Sequence, residues 1–348
     1  MLCKKIRGRL FSDSFLEWAG EGFMTKYLLL LLLFSCAHQN FKEKIVVAHR
    51  GASGHLPEHT LAGVVLAHSH GVDFVEPDLV LTRDDHPIVL HDIYLEKTTN
   101  VSEVFPKKAR KDGRWYAVDF TLEEIKKLRV FERFNPKTKK AFYPKRFPVG
   151  KSSFRVPSLR EYIELVQGLN KTLDKKVGLY PEIKHPQFHL KEGKDITLIV
   201  MDILNEYQVE KIFVQCFDPK TLKRIRKMNK TIPLIQLIGE NAWFNNSVDY
   251  SKMRTEKGLQ EISTYANGVG PWLKHIFEEK NGSSTVTRLI SWAHKNNLKV
   301  HPYTVRKDQL PGYVKDLSGL VEKLFKEAKA DGVFTDHGLE VKEILKSL

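Results

Sequence analysis

The sequence predicts an α/β protein, a distorted (β/α)8 barrel with a small inserted subdomain. Three observations carry that expectation. Short apolar runs recur between residues 44 and 346, segments of helical character lie between several of them, and many of the runs end on a polar residue able to do chemistry. Repeated strand-then-helix units imply a parallel sheet. About eight of them imply closure into a barrel, with active residues at the C-terminal strand ends. The 348 residues suffice for one such domain.

The N-terminus reads as an address. Residues 27–34, Tyr-Leu-Leu-Leu-Leu-Leu-Leu-Phe, are too few to span a bilayer but match the apolar stretch of a signal peptide. Met24-Thr25-Lys26 supplies a compact basic start, whereas Glu17 and Glu21 do not suit a leader. Residues 1–35 are therefore expected to be a leader, with Met24 the true start and residues 1–23 a mis-assigned extension. The alternative, a buried helix over residues 24–35, has no polar face to set its orientation. Leu33-Phe34-Ser35-Cys36 resembles a bacterial lipobox. That resemblance implies lipidation at Cys36, a periplasmic or outer-membrane location, and membrane attachment through the anchor alone.

The body begins with residues 45–48, a buried strand opening into His49-Arg50-Gly51. A helix is expected over residues 61–70, stopping at Gly71. Residues 74–81 and 87–91 read as strands flanking the turn cluster Thr82-Arg83-Asp84-Asp85. Further strands are expected at 177–183, 212–216, 233–238, 268–270, 300–304 and 332–335. Helices are expected at 159–169, 196–207, 222–228, 286–296 and 321–328. Residues 93–157 break the rhythm, and so long a departure implies an inserted subdomain. Within it, Thr121-Leu122-Glu123-Glu124 has the pattern of a capping box.

Composition narrows the function. The net charge of +14 is spread over short polar runs, which reads as a solvated surface able to attract anions. No basic zipper helix, zinc-ligand cysteine pair or RNA-binding aromatic motif is present, so no nucleic-acid partner is expected. Cys3, Cys36 and Cys216 stand in no metal-ligand spacing. Dinucleotide-binding and Gly-x-Ser-x-Gly patterns are absent.

Strand ends supply the candidate chemistry. His49 and Arg50 close the first strand, Glu76 and Asp78 lie in the second, and His91 and Asp92 close the third. Glu182 and Lys184, Gln215, and then His301, Tyr303 and Arg306 follow at later ends. Glu76 and Asp78 are two apart and share one face of a strand. Such a pair either forms salt bridges or holds a hard cation such as Ca2+ or Mg2+. Two imidazoles at strand ends suit acid and base roles. With 14 histidines in the chain, others are expected to be structural. His68 and His70 are placed on a helix without a role, and His55 and His59 lie in the loop after the first strand, where they could touch substrate but are given a surface position.

Taken together, Ala48-His49-Arg50-Gly51, Pro57-Glu58-His59-Thr60, Glu76-Pro77-Asp78, Val89-Leu90-His91-Asp92, Glu182-Ile183-Lys184 and Gly332-Val333-Phe334-Thr335-Asp336 resemble the glycerophosphodiester phosphodiesterase family, in its periplasmic bacterial branch. The resemblance spans roughly residues 44–346. It implies release of sn-glycerol 3-phosphate and an alcohol from small-molecule glycerophosphodiesters. Glu76, Asp78 and Glu182 would bind the metal, Ca2+ in preference to Mg2+. His49 and His91 would be acid and base, while Arg50 and Lys184 would contact phosphate. Gln215, Trp272 and Tyr303 complete the expected substrate-binding set. Attack by the substrate's own glycerol hydroxyl would form a cyclic phosphate that water then opens. Pro77 replaces a polar residue common between the two acids and removes a backbone donor. Two other functions fit parts of the pattern, a phospholipase C- or D-like enzyme acting on intact lipid and a surface lipoprotein that binds host ligands. No feature sets an oligomeric state.

Overall fold

The computed structural model describes residues 44–243 and 248–348. The expected leader and the expected lipidation site Cys36 lie outside the described residues, as does Cys3. Among the described residues no helix is long and apolar enough to cross a membrane.

Thirteen strands are present among them. They are β1 (Ile45–His49), β2 (Phe74–Glu76), β3 (Asp78–Leu81), β4 (Pro87–Val89), β5 (Gly178–Leu179), β6 (Glu182–Ile183) and β7 (Val214–Cys216). β8 (Leu234–Ile238), β9 (Gly268–Pro271), β10 (Phe277–Lys280), β11 (Ser283–Val286), β12 (Lys299–Val300) and β13 (Gly332–Thr335) follow. β10 and β11 form a two-stranded sheet of their own; of the two larger sheets, one runs β13-β1-β2-β5 and the other β12-β9-β8-β7-β6-β3-β4. These larger two are arcs of one barrel. β2 and β3 are halves of a single stave broken at Pro77, and β5 and β6 are halves of the next, broken at Tyr180-Pro181. A parallel bridge from Val305 to Thr335 closes the circle. The result is eight parallel staves, a (β/α)8 barrel.

The breaks have a covalent cause. Proline has no N–H to give to a ladder. Pro77 and Pro181 instead accept, from the amides of Glu182 at 2.9 Å and Gln215 at 3.0 Å. Strand residues are buried on both faces, as parallel staves covered by helices require. Below the breaks the interior is aromatic. Tyr180 stacks on Phe213 at 4.9 Å and meets Phe334 edge-on at 4.9 Å, while Phe74 lies 5.1 Å from Phe213. His301 belongs to this plug. It is fully buried and hydrogen-bonded to the Tyr180 hydroxyl through Nδ1 at 2.9 Å. Its expected place among the functional strand ends is therefore corrected.

The outer helices start where their sequences cap them. Thr60 accepts from Gly63 ahead of Leu61–Ser69, and Asp218 caps Pro219–Met228. Ser158 and Glu161 form a capping box on Leu159–Leu173. The helix expected over 286–296 is shorter, Leu289–Lys295, because Ser283–Val286 pairs instead with β10 as an antiparallel hairpin. Helices at Pro186–Lys191, Glu256–Ser263 and Gly338–Ser347 were not expected. The middle one buries only Gly258, Leu259 and Ile262, too few apolar positions to signal a period.

One expected stave is also corrected. β4 is not a barrel strand but the antiparallel return arm of a hairpin with β3, paired Leu79 to Val89 and Leu81 to Pro87. The turn at residues 82–86 carries the chain out past the barrel rim. β4 then brings it back, so that the Leu90 amide bonds the Asp78 carbonyl at 2.9 Å. The segment that follows folds around its own apolar cluster, which includes Leu95, Phe120, Ile125, Leu128 and Val156 and reaches down to Val80 and Ile88. Thr121 and Glu124 form the expected capping box on Leu122–Lys126.

Phe120 is the fully buried aromatic of this satellite core, with Trp115, Tyr116 and Phe105 only partly buried against it. Phe120→Ala should cost roughly 3–5 kcal/mol in urea unfolding of the full chain. A loss below about 1 kcal/mol would show that the segment has no packed core of its own.

Candidate active site

Register sets the site. Parallel pairing aligns His49 with Glu76, Asp78 with Glu182, and Glu182 with Gln215. Neighbouring strands lie about 4.8 Å apart, so these residues stand in two successive rows that meet where the stave is broken at Pro77. Glu76, Asp78 and Glu182 offer carboxylate oxygens that all lie within 4.8 Å of one another. All three are buried.

Each acid is held by its neighbours. Glu76 Oε2 accepts the Arg50 backbone N–H at 2.8 Å, and Glu76 Oε1 accepts from Gln215 at 3.4 Å. Asp78 Oδ2 is bonded to His59 Nε2 at 2.8 Å, leaving Oδ1 facing the Lys184 ammonium at 3.6 Å. Lys184 also reaches Glu182 Oε1 at 2.7 Å. A cation thus already sits against the trio. Burial, with Asp78 and Glu182 adding, pushes Glu76 well above the usual carboxylate range. Burial lifts Glu182 to about 8, with Lys184 opposing and Asp78 adding. Asp78 stays well below its ordinary value, because Lys184, His91 and His59 outweigh its burial. Two of three carboxylates resist ionisation beside a single ammonium, and the Gln215 carbonyl oxygen is buried without a partner. An all-oxygen donor set of this kind fits a hard divalent cation.

The turn after β1 makes this possible. Arg50 and Gly51 both take left-handed backbone conformations, φ 58° and 78°. A Cβ at Gly51 would lie 3.1 Å from the Gly63 backbone. The reversal aims the Arg50 amide at Glu76 and its guanidinium at Glu58, 3.1 Å away, and at Asp78, 3.4 Å away.

The two imidazoles share a device. His49 Nδ1 bonds Asp336 at 2.6 Å, and His91 Nδ1 bonds Asp92 at 2.7 Å. An ionised carboxylate only accepts. Both rings therefore carry hydrogen on Nδ1 and present a bare Nε2. Burial, assisted by Arg50, brings His49 down to about 4 and His91 to about 3. Each aspartate is pinned in turn. Asp336 accepts from Arg306 at 2.7 Å and Arg146 at 2.8 Å, and Asp92 accepts from Arg133 at 2.8 Å. Arg133 and Arg146 belong to the inserted segment, which thereby braces both histidines.

A cavity of about 300 Å³ opens over these rows. His49, Arg50, Glu76, His91, Glu182, Lys184, Gln215, Trp272 and Tyr303 all line it, so the expected residues converge, with Asp78 beneath them in the trio. Phe217, Trp243 and His185 join them without having been expected. The surface position given to His59 is corrected. It is 3% exposed and bonded to Asp78, because Glu58 and the reversed Arg50 fold the loop inward. Asp92 and Asp336 were visible in quoted motifs, but their partnership with the histidines was not, since His49 and Asp336 lie 287 residues apart. Arg133 and Arg146 carry no local signal at all.

Comparison with known proteins agrees with this layout. The model of the glycerophosphoryl diester phosphodiesterase family matches residues 49–339. A glycerophosphodiester phosphodiesterase from Haemophilus influenzae is 40% identical over 330 residues, covering 88% of this chain and 91% of that protein. One from Treponema pallidum is 35% identical over 331 residues, covering 88% and 91%. Among solved structures, a Silicibacter pomeroyi protein superposes with TM-score 0.66 at 22% identity, covering 87% of this chain and 93% of its own. An Oleispira antarctica phosphodiesterase in complex with the product sn-glycerol-3-phosphate gives 0.58 at 20% identity, covering 87% and 96%.

The acidic trio makes stability depend on pH in a defined window. Glu182 has a pKa of about 8 in the fold against an ordinary 4.5, so the folded state binds the extra proton between those values. Stability then falls as pH rises through that range. The buried histidines His49 and His91 act oppositely, but only below their ordinary 6.5. Between pH 6.5 and 8 the melting temperature in EDTA should therefore fall, and saturating Ca2+ should reduce the fall to the share that Glu132, whose carboxyl is also raised to about 8, contributes. A flat metal-free profile would show that the trio is not under charge strain.

Proposed function

The chain belongs to the glycerophosphoryl diester phosphodiesterase family and is a glycerophosphodiester phosphodiesterase, and from that premise we propose that it works with a divalent cation on Glu76, Asp78 and Glu182 and with His49 and His91 as its acid–base pair. The observation that carries this reading is the buried cluster of three carboxylates within 4.8 Å of one another, beside a cavity lined by both His49, from the end of β1, and His91, delivered by the β3–β4 hairpin. The proposed ion is Ca2+, whose flexible oxygen coordination suits three carboxylates and an amide oxygen better than the strict octahedron of Mg2+. When bound, it supplies positive charge to the phosphate and glycerol oxygens.

The chain's own groups do the rest. Arg50 and Lys184 face the phosphate oxygens, and Gln215 orients against Glu76. Both imidazoles are neutral in the free site, so either has a lone pair for a proton. The negative phosphodiester favours imidazolium at one of them, and that ring protonates the leaving alcohol. The other takes the proton of the substrate's glycerol hydroxyl as that oxygen attacks phosphorus. The P–O bond to the alcohol breaks, a cyclic phosphate remains, and water opens it with the two roles reversed. Asp92 and Asp336 hold the Nδ1 hydrogens throughout. Trp272 and Tyr303 line the cavity against the organic part of the substrate. The product seen in the Oleispira antarctica structure, sn-glycerol-3-phosphate, is the product proposed here. The apolar leader and Cys36 support a lipid-anchored enzyme of the periplasm or outer membrane, attached to the membrane by that anchor alone.

Each of His49→Ala and His91→Ala should lower turnover, read as glycerol 3-phosphate release, by roughly 10²–10⁴-fold without changing the circular dichroism spectrum. Near-normal turnover in either variant removes that histidine from the reaction. EDTA should abolish activity and Ca2+ restore it, and activity that survives exhaustive chelation overturns the metal assignment. Labelled palmitate should enter the expressed full chain and not Cys36→Ser, and equal labelling would place the anchor elsewhere.

A further inference from the structure

A second cavity, of about 200 Å³, adjoins the first. His49, Arg50, His91 and Arg306 line both, so these four form the partition between them. The far wall comes from the inserted segment: Glu132, Arg133, Tyr143 and Arg146. The cavity is dense in charge, and nearly all of that charge is internally matched. Arg50 pairs with Glu58, Arg133 with Glu58 and Asp92, Arg146 with Asp308 and Asp336, and Arg306 with Asp336.

Glu132 is the exception. It is 3% exposed, its Oε2 is buried with no hydrogen-bond partner, and it enters no ion pair among the described residues. A buried carboxylate oxygen without a donor costs the full desolvation of that atom unless something in the cavity answers it. The guanidinium groups nearby are already committed. Burial first, then Glu58, raises its carboxyl to about 8, because Arg146, already committed to Asp308 and Asp336, and the Arg133 backbone N–H offset only part of that cost.

A diester with phosphorus between His49 and His91 has two arms and finds two cavities. The glycerol arm bears only hydroxyls, which suit the oxygen-rich side beside the trio and Lys184. The alcohol arm then takes the second cavity. Resting on the phosphodiesterase reading above, we propose that Glu132 determines head-group specificity by pairing with the ammonium of a primary-amine alcohol, so that glycerophosphoethanolamine-type diesters are preferred. A primary ammonium supplies what Glu132 Oε2 lacks, an N–H donor that also carries a positive charge. A quaternary head group would supply charge without donors, and a hydroxyl would supply a donor without charge.

The test compares kcat/KM for glycerophosphoethanolamine with that for glycerophospho-ethylene glycol, in which a hydroxyl replaces the ammonium. The wild-type enzyme should favour the amine at least tenfold. Glu132→Gln should bring that ratio close to one, and Glu132→Asp should restore part of it. A wild-type ratio near one overturns the proposal without any variant, so the result holds even if Glu132→Gln does not fold. A ratio unchanged by Glu132→Gln overturns it equally. Failure of the wild-type enzyme on both diesters would instead overturn the reading of the site as a phosphodiesterase centre.

Discussion

Three carboxylates forced into one buried cluster are the constraint on which the rest of the site depends. At an effective dielectric of about 20, two ionised acids a little under 5 Å apart repel by roughly 3–4 kcal/mol. The fold accepts that repulsion because strand pairing leaves Asp78 and Glu182 no alternative positions. Everything around the cluster answers it: Lys184 on the trio, the Arg50 amide on Glu76, and His59 on Asp78. A divalent cation completes the answer, so binding of the ion and relief of the strain are one event.

The surrounding ion pairs serve geometry more than stability. Glu58, Arg50, Arg133 and Asp92 form a continuous chain that ends at His91, and Arg146, Arg306 and Asp336 form another that ends at His49. Buried pairs of this kind recover little beyond their own desolvation. What they secure is direction. Each imidazole is fixed in one tautomer, with its free nitrogen toward the cavity. The inserted segment supplies one arginine to each chain, Arg133 to the first and Arg146 to the second, which explains why it carries a hydrophobic core of its own. A floppy loop could not hold two guanidinium groups in place.

Much of this was legible in the sequence, for reasons particular to each element. The staves were visible because buried parallel strands are nearly all apolar. Glu76, Asp78, Glu182, His49 and His91 were visible because they stand in short motifs at the ends of those runs. His59 was misplaced because its loop looks polar, and only the left-handed turn at Arg50 brings it inside. The segment at 87–91 was misread as a stave because periodicity does not report strand direction. Arg133, Arg146 and Glu132 were invisible, since their roles come from a tertiary contact between the insertion and the rim that no local pattern encodes.

The two prolines that interrupt the staves have a consequence for how this protein can change over time. Pro77 and Pro181 divide two staves into a lower storey that pairs β2 with β5 on the aromatic plug and an upper storey that pairs β3 with β6 and carries the site. The carbonyls of Pro77 and Pro181 carry the ladder past each break, so each storey keeps backbone pairing of its own. Substitutions in the upper storey can therefore alter ligands, charges or head-group contacts while the lower storey keeps the chain folded. The barrel behaves as a foundation with an exchangeable deck, which frees the site to vary under selection at small cost in stability.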